Sequence, residues 1–260
     1  MAAVPVDGNG WPPGLTRYDD VFTEAEQAEL VAFAESMLCR GREGGLAGKS
    51  YVSVPSEWRQ RGQGRETVHF GVLVKCNKVL NACVEPIPPP LVNVIARLVS
   101  LDILAKDQTP DTVCINFYEA GSWLPAHVDS AAFDRPFCTV SLLTRHVTLF
   151  GAAIASGDVL SEGPDAHNRL FIDLPVGSVL RVDGESAGPE WKHGLPPHPS
   201  RRISLTFRKL SGETLQAHRA IRQESELAQQ HRRERKRAAK VAQGRHLLAV
   251  SAMADDSSAL

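Results

Sequence analysis

The sequence predicts a mainly β protein with flanking helices, an α+β chain whose core is a sandwich or barrel of the jelly-roll kind. Three observations predict it. Between residues 112 and 209, six short β-type runs follow one another with turn residues between them and no helical segment. Two segments of helical periodicity precede those runs. The last run, Arg202 to Arg208, alternates strictly: Ile203, Leu205 and Phe207 share one face, and Arg202, Ser204, Thr206 and Arg208 the other.

In chain order, residues 1–20 are rich in glycine and proline and read as a disordered N-terminus. Residues 21–110 read as a helical and lid region packed on the core. Thr23 and Glu26 form a capping box that opens the first helix, and Leu30, Phe33, Ala34, Met37 and Leu38 give it an apolar face. The glycine-rich stretch 41–48 ends it. Residues 50–85 mix Arg59, Arg61, Arg65 and Lys75 with Tyr51, Trp58, His69 and Phe70, a pattern compatible with short strands or with a lid. After the punctuation of 86–90 (PIPPP), Leu91, Val94, Ile95, Leu98 and Val99 recur at helical spacing. Residues 111–210 form the β core, with runs at 112–118, 137–143, 147–150, 169–174, 178–182 and 202–209, and a turn at Pro175-Val176-Gly177. Residues 211–260 read as a basic helix and a disordered tail. Arg232, Arg233, Arg235, Lys236, Arg237, Lys240 and Arg245 stand there against Glu234.

Composition narrows the function classes. With 43% hydrophobic and 23% charged residues over 260 positions, the chain is of the globular class. Its formal net charge of −1 makes no argument for nucleic acid by itself. The five cysteines are odd in number and form no C-x-x-C pair, which argues against a disulfide framework and a cysteine zinc site. Neither a signal peptide nor a run of about 18 apolar residues is present, so no membrane partner is expected. The expectation is an intracellular protein, in the cytoplasm, the nucleus or both.

The chemistry-bearing residues come next. In extended backbone, residues i and i+2 point to one face, so His127 and Asp129 of His127-Val128-Asp129 can bind one metal together. His193, just before the last run, supplies a third ligand. Two imidazoles and one carboxylate on one face leave three positions open, which is the facial triad of non-haem Fe(II) oxygenases. Taken alone, H-x-D is a weak signal that reads rather as a surface His–Asp pair, and His193 alone as an exposed or structural histidine. The polar face of 202–208 reads either as solvent-exposed or as a barrel interior, where Arg202 and Arg208 would fork a carboxylate. In 112–118, Asn116 and Tyr118 share the polar face with Cys114.

The ordered series N-x-Y, H-x-D, H and R-x-x-x-x-x-R resembles the AlkB family of Fe(II)/2-oxoglutarate dioxygenases. The runs at 85–89, 135–141, 174–180 and 202–209 look most like its plant-type, RNA N6-methyladenosine demethylase-like branch. The resemblance covers roughly residues 85–210 and does not extend clearly over 41–80. It implies a double-stranded β-helix core with His127, Asp129 and His193 on Fe(II). It also implies Arg202 on the distal carboxylate of 2-oxoglutarate, Asn116 and Tyr118 beside the cosubstrate, and Arg208 on the cosubstrate or the substrate-side pocket. The implied reaction uses O2 to demethylate an N-methylated nucleobase in RNA, releasing formaldehyde, succinate and CO2. Alkylated DNA, a protein side chain, an inactive RNA-binding role and a zinc hydrolase stay as alternatives. Methylated, single-stranded RNA is the expected partner. The basic stretch after residue 231 reads as a phosphate contact, an import signal or a solvated helix, and Arg59, Arg61 and Arg65 fit contacts to single-stranded RNA.

Overall fold

A computed structural model describes residues 4–6, 10–75, 78–80, 82–152, 154, 169–220 and 223. The chain divides into a first unit, Met1–Thr214, and a second, Leu215–Leu260. The second is described only at 215–220 and 223, which are helical, so the basic stretch 232–245 lies outside the described residues. Among the described residues, no helix is long and apolar enough to cross a membrane.

Two helices back the first unit. α1 (Glu24–Arg42) starts as the capping box predicts: Glu26 N–H donates to Thr23 Oγ1, and the Glu26 carboxylate accepts from Thr23 N–H. It buries Leu30, Ala34, Met37 and Leu38. α2 (Ser56–Gln60) is a short helix in the mixed region. α3 (Pro89–Ser100) opens on proline, whose missing N–H costs nothing in a first turn, and buries Leu91, Val94, Ile95 and Leu98.

The strands form two main sheets. In spatial order, the eight-stranded sheet holds β1 (Val4–Val6), β2 (Leu15–Asp19), β12 (Val179–Val182), β9 (Phe137–Leu142), β14 (Arg202–Arg208), β7 (Thr112–Tyr118), β4 (Glu66–Phe70) and β3 (Tyr51–Val52). The four-stranded sheet runs β11 (Leu170–Leu174), β10 (His146–Gly151), β13 (Lys192–Leu195) and β8 (Leu124–His127). β5 (Val74–Lys75) and β6 (Lys78–Val79) make a separate hairpin. β14 lies in the middle, paired antiparallel with β7 through all seven of its residues and with β9 through Ile203–Phe207.

The large sheet has two unlike faces because side chains alternate with period two. Ile203, Leu205 and Phe207, with Val113, Ile115, Phe117, Val68 and Phe70, join the helices in one apolar core. Tyr118 and Phe137, on the other face, pack with Phe150, Ile172, Leu174 and Leu195 of the small sheet. This is the expected jelly roll, and each of the six predicted β runs is a strand.

The structure corrects the expected boundaries. Residues 15–19 are not a disordered stretch but β2, paired with β12; the glycine and proline before them shape a turn, and Leu15 N–H donates to Pro12 O. The core sheet also reaches outside 111–210 to take in β4, which pairs with β7. Two strands inside 111–210, β8 and β13, are additions to the six.

His146, on β10, is buried and its ring lies 4.8 Å from that of His198. Burial pushes its pKa down to about 4.

Two stability predictions follow from the packing. Phe207 is fully buried, so Phe207→Ala should cost about 3–5 kcal/mol in urea unfolding, against about 1 kcal/mol for Thr23→Ala. The unfolded chain protonates His146 near pH 6.5, before the folded one does, so its contribution is complete above pH 6.5 and is lost as pH falls toward 4. A His146→Gln variant should therefore show a shallower fall in unfolding free energy over that window, by up to about 1.4 kcal/mol per pH unit.

Candidate metal centre and its pocket

The site sits between the sheets, where β8 and β13 run side by side. Their register sets His193 directly opposite His127, with an irregularity before Leu195. Gly194 permits this approach: a Cβ there would stand 2.8 Å from Leu124 O and 3.1 Å from Ala126 N. The two imidazole rings come within 4.5 Å, and Phe150 stacks on His193 at 5.3 Å. Asp129 follows β8 by two residues. The ligand atoms of His127, Asp129 and His193 all lie within 4.8 Å of one another, and among the described residues this is the group able to hold a metal ion.

The surroundings prepare these groups for a cation. His127 Nδ1 lies 2.8 Å from Pro125 O; a carbonyl only accepts, so Nδ1 carries the proton and Nε2 keeps its lone pair. Nε2 faces Asp129 Oδ1 at 3.9 Å. Burial pushes both histidines down, His193 to about 3, so both are neutral near pH 7. Burial alone would raise the Asp129 carboxyl, but Arg208, His193 and His127 outweigh it and hold it well below the usual range. Arg208 forks the Asp129 carboxylate through Nε and an NH2 group at 3.1–3.2 Å. Its guanidinium lies against Phe133 and Phe137 at 5.3 and 5.7 Å.

All seven predicted site residues line one pocket: Asn116, Tyr118, His127, Asp129, His193, Arg202 and Arg208. The polar face of β14 is thus an interior, which settles the choice left open by its alternation. Arg202 is 2% exposed, donates to Ser141 Oγ at 3.2 Å and leaves Nε buried without a hydrogen-bond partner. Three guanidiniums, from Arg65, Arg202 and Arg208, line the pocket against the one carboxylate of Asp129. A surplus of two positive charges and an orphaned buried donor fit a dianionic ligand, and the apolar walls of Leu124, Leu174, Leu180 and Val182 fit its methylene groups.

Two residues with a part here carry no such role in the sequence reading. Arg65, grouped there with RNA contacts, reaches into the pocket and donates through Nε to Asn116 Oδ1 at 2.6 Å. Its signal is the spacing Arg65-x-Thr67-x-His69, hidden by Glu66, which lies on the opposite face and is held by Arg42 and Tyr51. Arg135 donates to the carbonyls of Asp129, Ser130, Phe133 and Ala187, pinning the loop that presents Asp129. Nothing in its local sequence announces that. Of the aromatic residues Tyr51, Trp58 and Phe70 in the mixed region, Phe70 is buried in the core, Tyr51 donates to Glu66 and Trp58 is exposed.

Comparison with known proteins agrees with this geometry. Residues 14–208 match the 2OG-Fe(II) oxygenase superfamily. The chain is 34% identical over 207 residues to RNA demethylase ALKBH9B of Arabidopsis thaliana, covering 76% of this chain and 39% of that protein. It is 27% identical over 216 residues to RNA demethylase ALKBH10B of the same plant, covering 79% of this chain and 36% of that one. The chain thus spans less than two fifths of the length of these relatives. The fold also matches the solved structure of OsALKBH1 at a TM-score of 0.52 and 16% identity, over 76% of this chain and 99% of that one. On the family match across three quarters of its length, the chain belongs to the 2OG-Fe(II) oxygenase superfamily, whose chemistry makes Fe(II), 2-oxoglutarate and O2 its cofactors.

Proposed function

We propose that this protein is an oxidative demethylase of N-methylated nucleobases, with N6-methyladenosine in single-stranded RNA as the leading substrate. The observation that carries the reading is the joining of two cavities at His127. One is the cationic pocket. The other is a larger, mainly apolar groove, bounded by Trp58, Val54, Leu73 and Pro125, which also ends on His127. A flat, apolar base with its methyl group aimed at the metal suits that groove, and exposed Arg59 and Arg61 stand beside it for the phosphate backbone. The names of the two plant relatives support the same substrate class. An RNA substrate makes the cytoplasm or the nucleus its place of work.

In this reading His127, Asp129 and His193 hold the iron, His127 through Nε2. Bound Fe(II), with 2-oxoglutarate and O2, supplies the oxidant that hydroxylates the methyl carbon; the hydroxymethyl amine then releases formaldehyde. The protein's part is positional and electrostatic. Arg208 fixes the orientation of Asp129 and leaves one carboxylate lone-pair direction for the metal. Arg202 receives the distal carboxylate at the end of the pocket marked by Tyr118, its register partner. The polar rung of Asn116, Ser204 and Thr206 lies between that end and Asp129. The apolar walls exclude water, which strengthens each of these charge contacts. A zinc hydrolase with the same ligands gives no use to three arginines around one carboxylate.

Anaerobic addition of Fe(II) and 2-oxoglutarate should produce a visible metal-to-ligand charge-transfer band, and Asp129→Ala should abolish it. A band that survives Asp129→Ala would sink the metal assignment. Mass spectrometry of an RNA oligonucleotide carrying N6-methyladenosine should show the loss of one methyl group per 2-oxoglutarate consumed; turnover uncoupled from that loss points to another substrate. Trp58→Ala should raise KM for the oligonucleotide about tenfold while leaving the affinity for 2-oxoglutarate unchanged.

A further inference from the structure

Arg65 stands just before β4, in phase with Thr67 and His69, and so on the pocket face of the large sheet. Its Nε donates to Asn116 Oδ1 at 2.6 Å, and the amide of Asn116 is oriented in turn by donating to Thr206 Oγ1 at 3.1 Å and Ser204 Oγ at 3.3 Å. The guanidinium carbon lies 5.8 Å from the centre of the Tyr118 ring; that of Arg202 lies 5.5 Å from the same ring. Two cations therefore flank one phenol. Arg208 is neutralised by Asp129, whereas neither Arg65 nor Arg202 forms an ion pair among the described residues.

Like charges held together in a partly dry cavity raise each other's energy, and an anion between them reverses the sign of the interaction. The register tells the two apart. Arg202 lies opposite Tyr118, Ser204 opposite Asn116 and Arg208 opposite Thr112. Asn116, which holds Arg65, is thus one rung nearer than Arg202 to Arg208 and Asp129. With Arg202 on the distal carboxylate, Arg65 lies toward the metal-side half of the pocket. Its terminal nitrogens are free of the Asn116 bond, which uses Nε alone.

We propose that Arg65 is a second cosubstrate-binding arginine, which grips the 2-oxo-acid end of 2-oxoglutarate while Arg202 grips the distal carboxylate. The proposal rests on the oxygenase reading above and adds a residue to its binding machinery. A dianion then meets two dedicated cations, one at each end. Arg65 also borders the groove that ends at His127, so the cosubstrate, once bound, fixes a side chain that forms the inner wall of the substrate path.

The test is calorimetric titration of the Zn(II)-loaded full chain with 2-oxoglutarate and with 2-oxopentanoate, the same chain lacking the distal carboxylate. Arg65→Met should weaken both ligands by a similar factor, about tenfold or more, as expected for a lost charge-assisted hydrogen bond. Arg202→Met should weaken 2-oxoglutarate alone. The Zn(II) affinity and thermal midpoint of the ligand-free Arg65→Met protein should match wild type, and Arg65→Lys should recover part of the binding. Unchanged 2-oxoglutarate affinity in Arg65→Met overturns the proposal, as does a loss confined to 2-oxoglutarate, which would put Arg65 on the distal end. If Arg65→Met loses Zn(II) affinity as much as ligand affinity, and Arg65→Lys rescues neither, Arg65 is a structural prop and the proposal fails. Absence of 2-oxoglutarate binding to the Zn(II)-loaded wild type overturns the oxygenase reading itself, an outcome distinct from failure of the Arg65 variant alone.

Discussion

β14 carries two incompatible surfaces on one backbone, and the rest of the first unit is arranged around keeping them apart. Ile203, Leu205 and Phe207 require a dry contact, which α1 and α3 provide. Arg202 and Arg208 require partners for their charge, and the facing sheet encloses them with Asp129 and the two histidines. Because the side-chain period is two, a slip of one residue against β7 or β9 would bury the arginines under the helices and expose the apolar row to the pocket. Pairing with β7 through all seven residues and with β9 through Ile203–Phe207 fixes that register.

Charge is the second organising fact. Removing a guanidinium from water costs several kcal/mol unless it is paired. Arg208 is offset by Asp129 and by two aromatic faces, and Arg135 by four backbone carbonyls. Arg202 has one hydroxyl and the face of a phenol. The pocket thus holds part of its electrostatic energy in reserve for a ligand, and preorganised charge of this kind discriminates a dianion from a neutral or singly charged acid. The same field keeps Asp129 ionised against its burial and, together with burial, keeps both histidines unprotonated near pH 7, the states in which they can donate lone pairs to a metal.

The mixed region 50–85 is tied to the strand that bears His127. Gly64 N–H donates to Trp123 O, Trp123 N–H to Gly62 O, and the Trp123 indole N–H to Arg61 O, so the segment around α2 is fastened one residue before β8 begins. The groove wall that carries Trp58 is therefore fastened to the same stretch of backbone as His127. In the proposed demethylase, substrate path and metal would share a frame, which suits a reaction that must bring one methyl carbon to one coordination site.

The sequence by itself determined the strands with clean alternation, the two capped or proline-led helices, and the residue types of the site. Period-two and period-3.6 patterns report burial directly, and H-x-D with a later histidine offers candidate ligand types. What it hid were the strands that serve function. β8 reads Leu-Pro-Ala-His and β13 Lys-His-Gly-Leu, with proline, glycine and histidine in place of an apolar stripe. β2 and β4 were hidden because their stability comes from pairing with β12 and β7, far away in the chain. Only the tertiary structure set His193 opposite His127, turned the arginine face of β14 inward and brought Arg65 from residue 65 to the amide of Asn116. Those are long-range contacts, and local sequence carries the types of residue that meet in them but not the register that makes them meet.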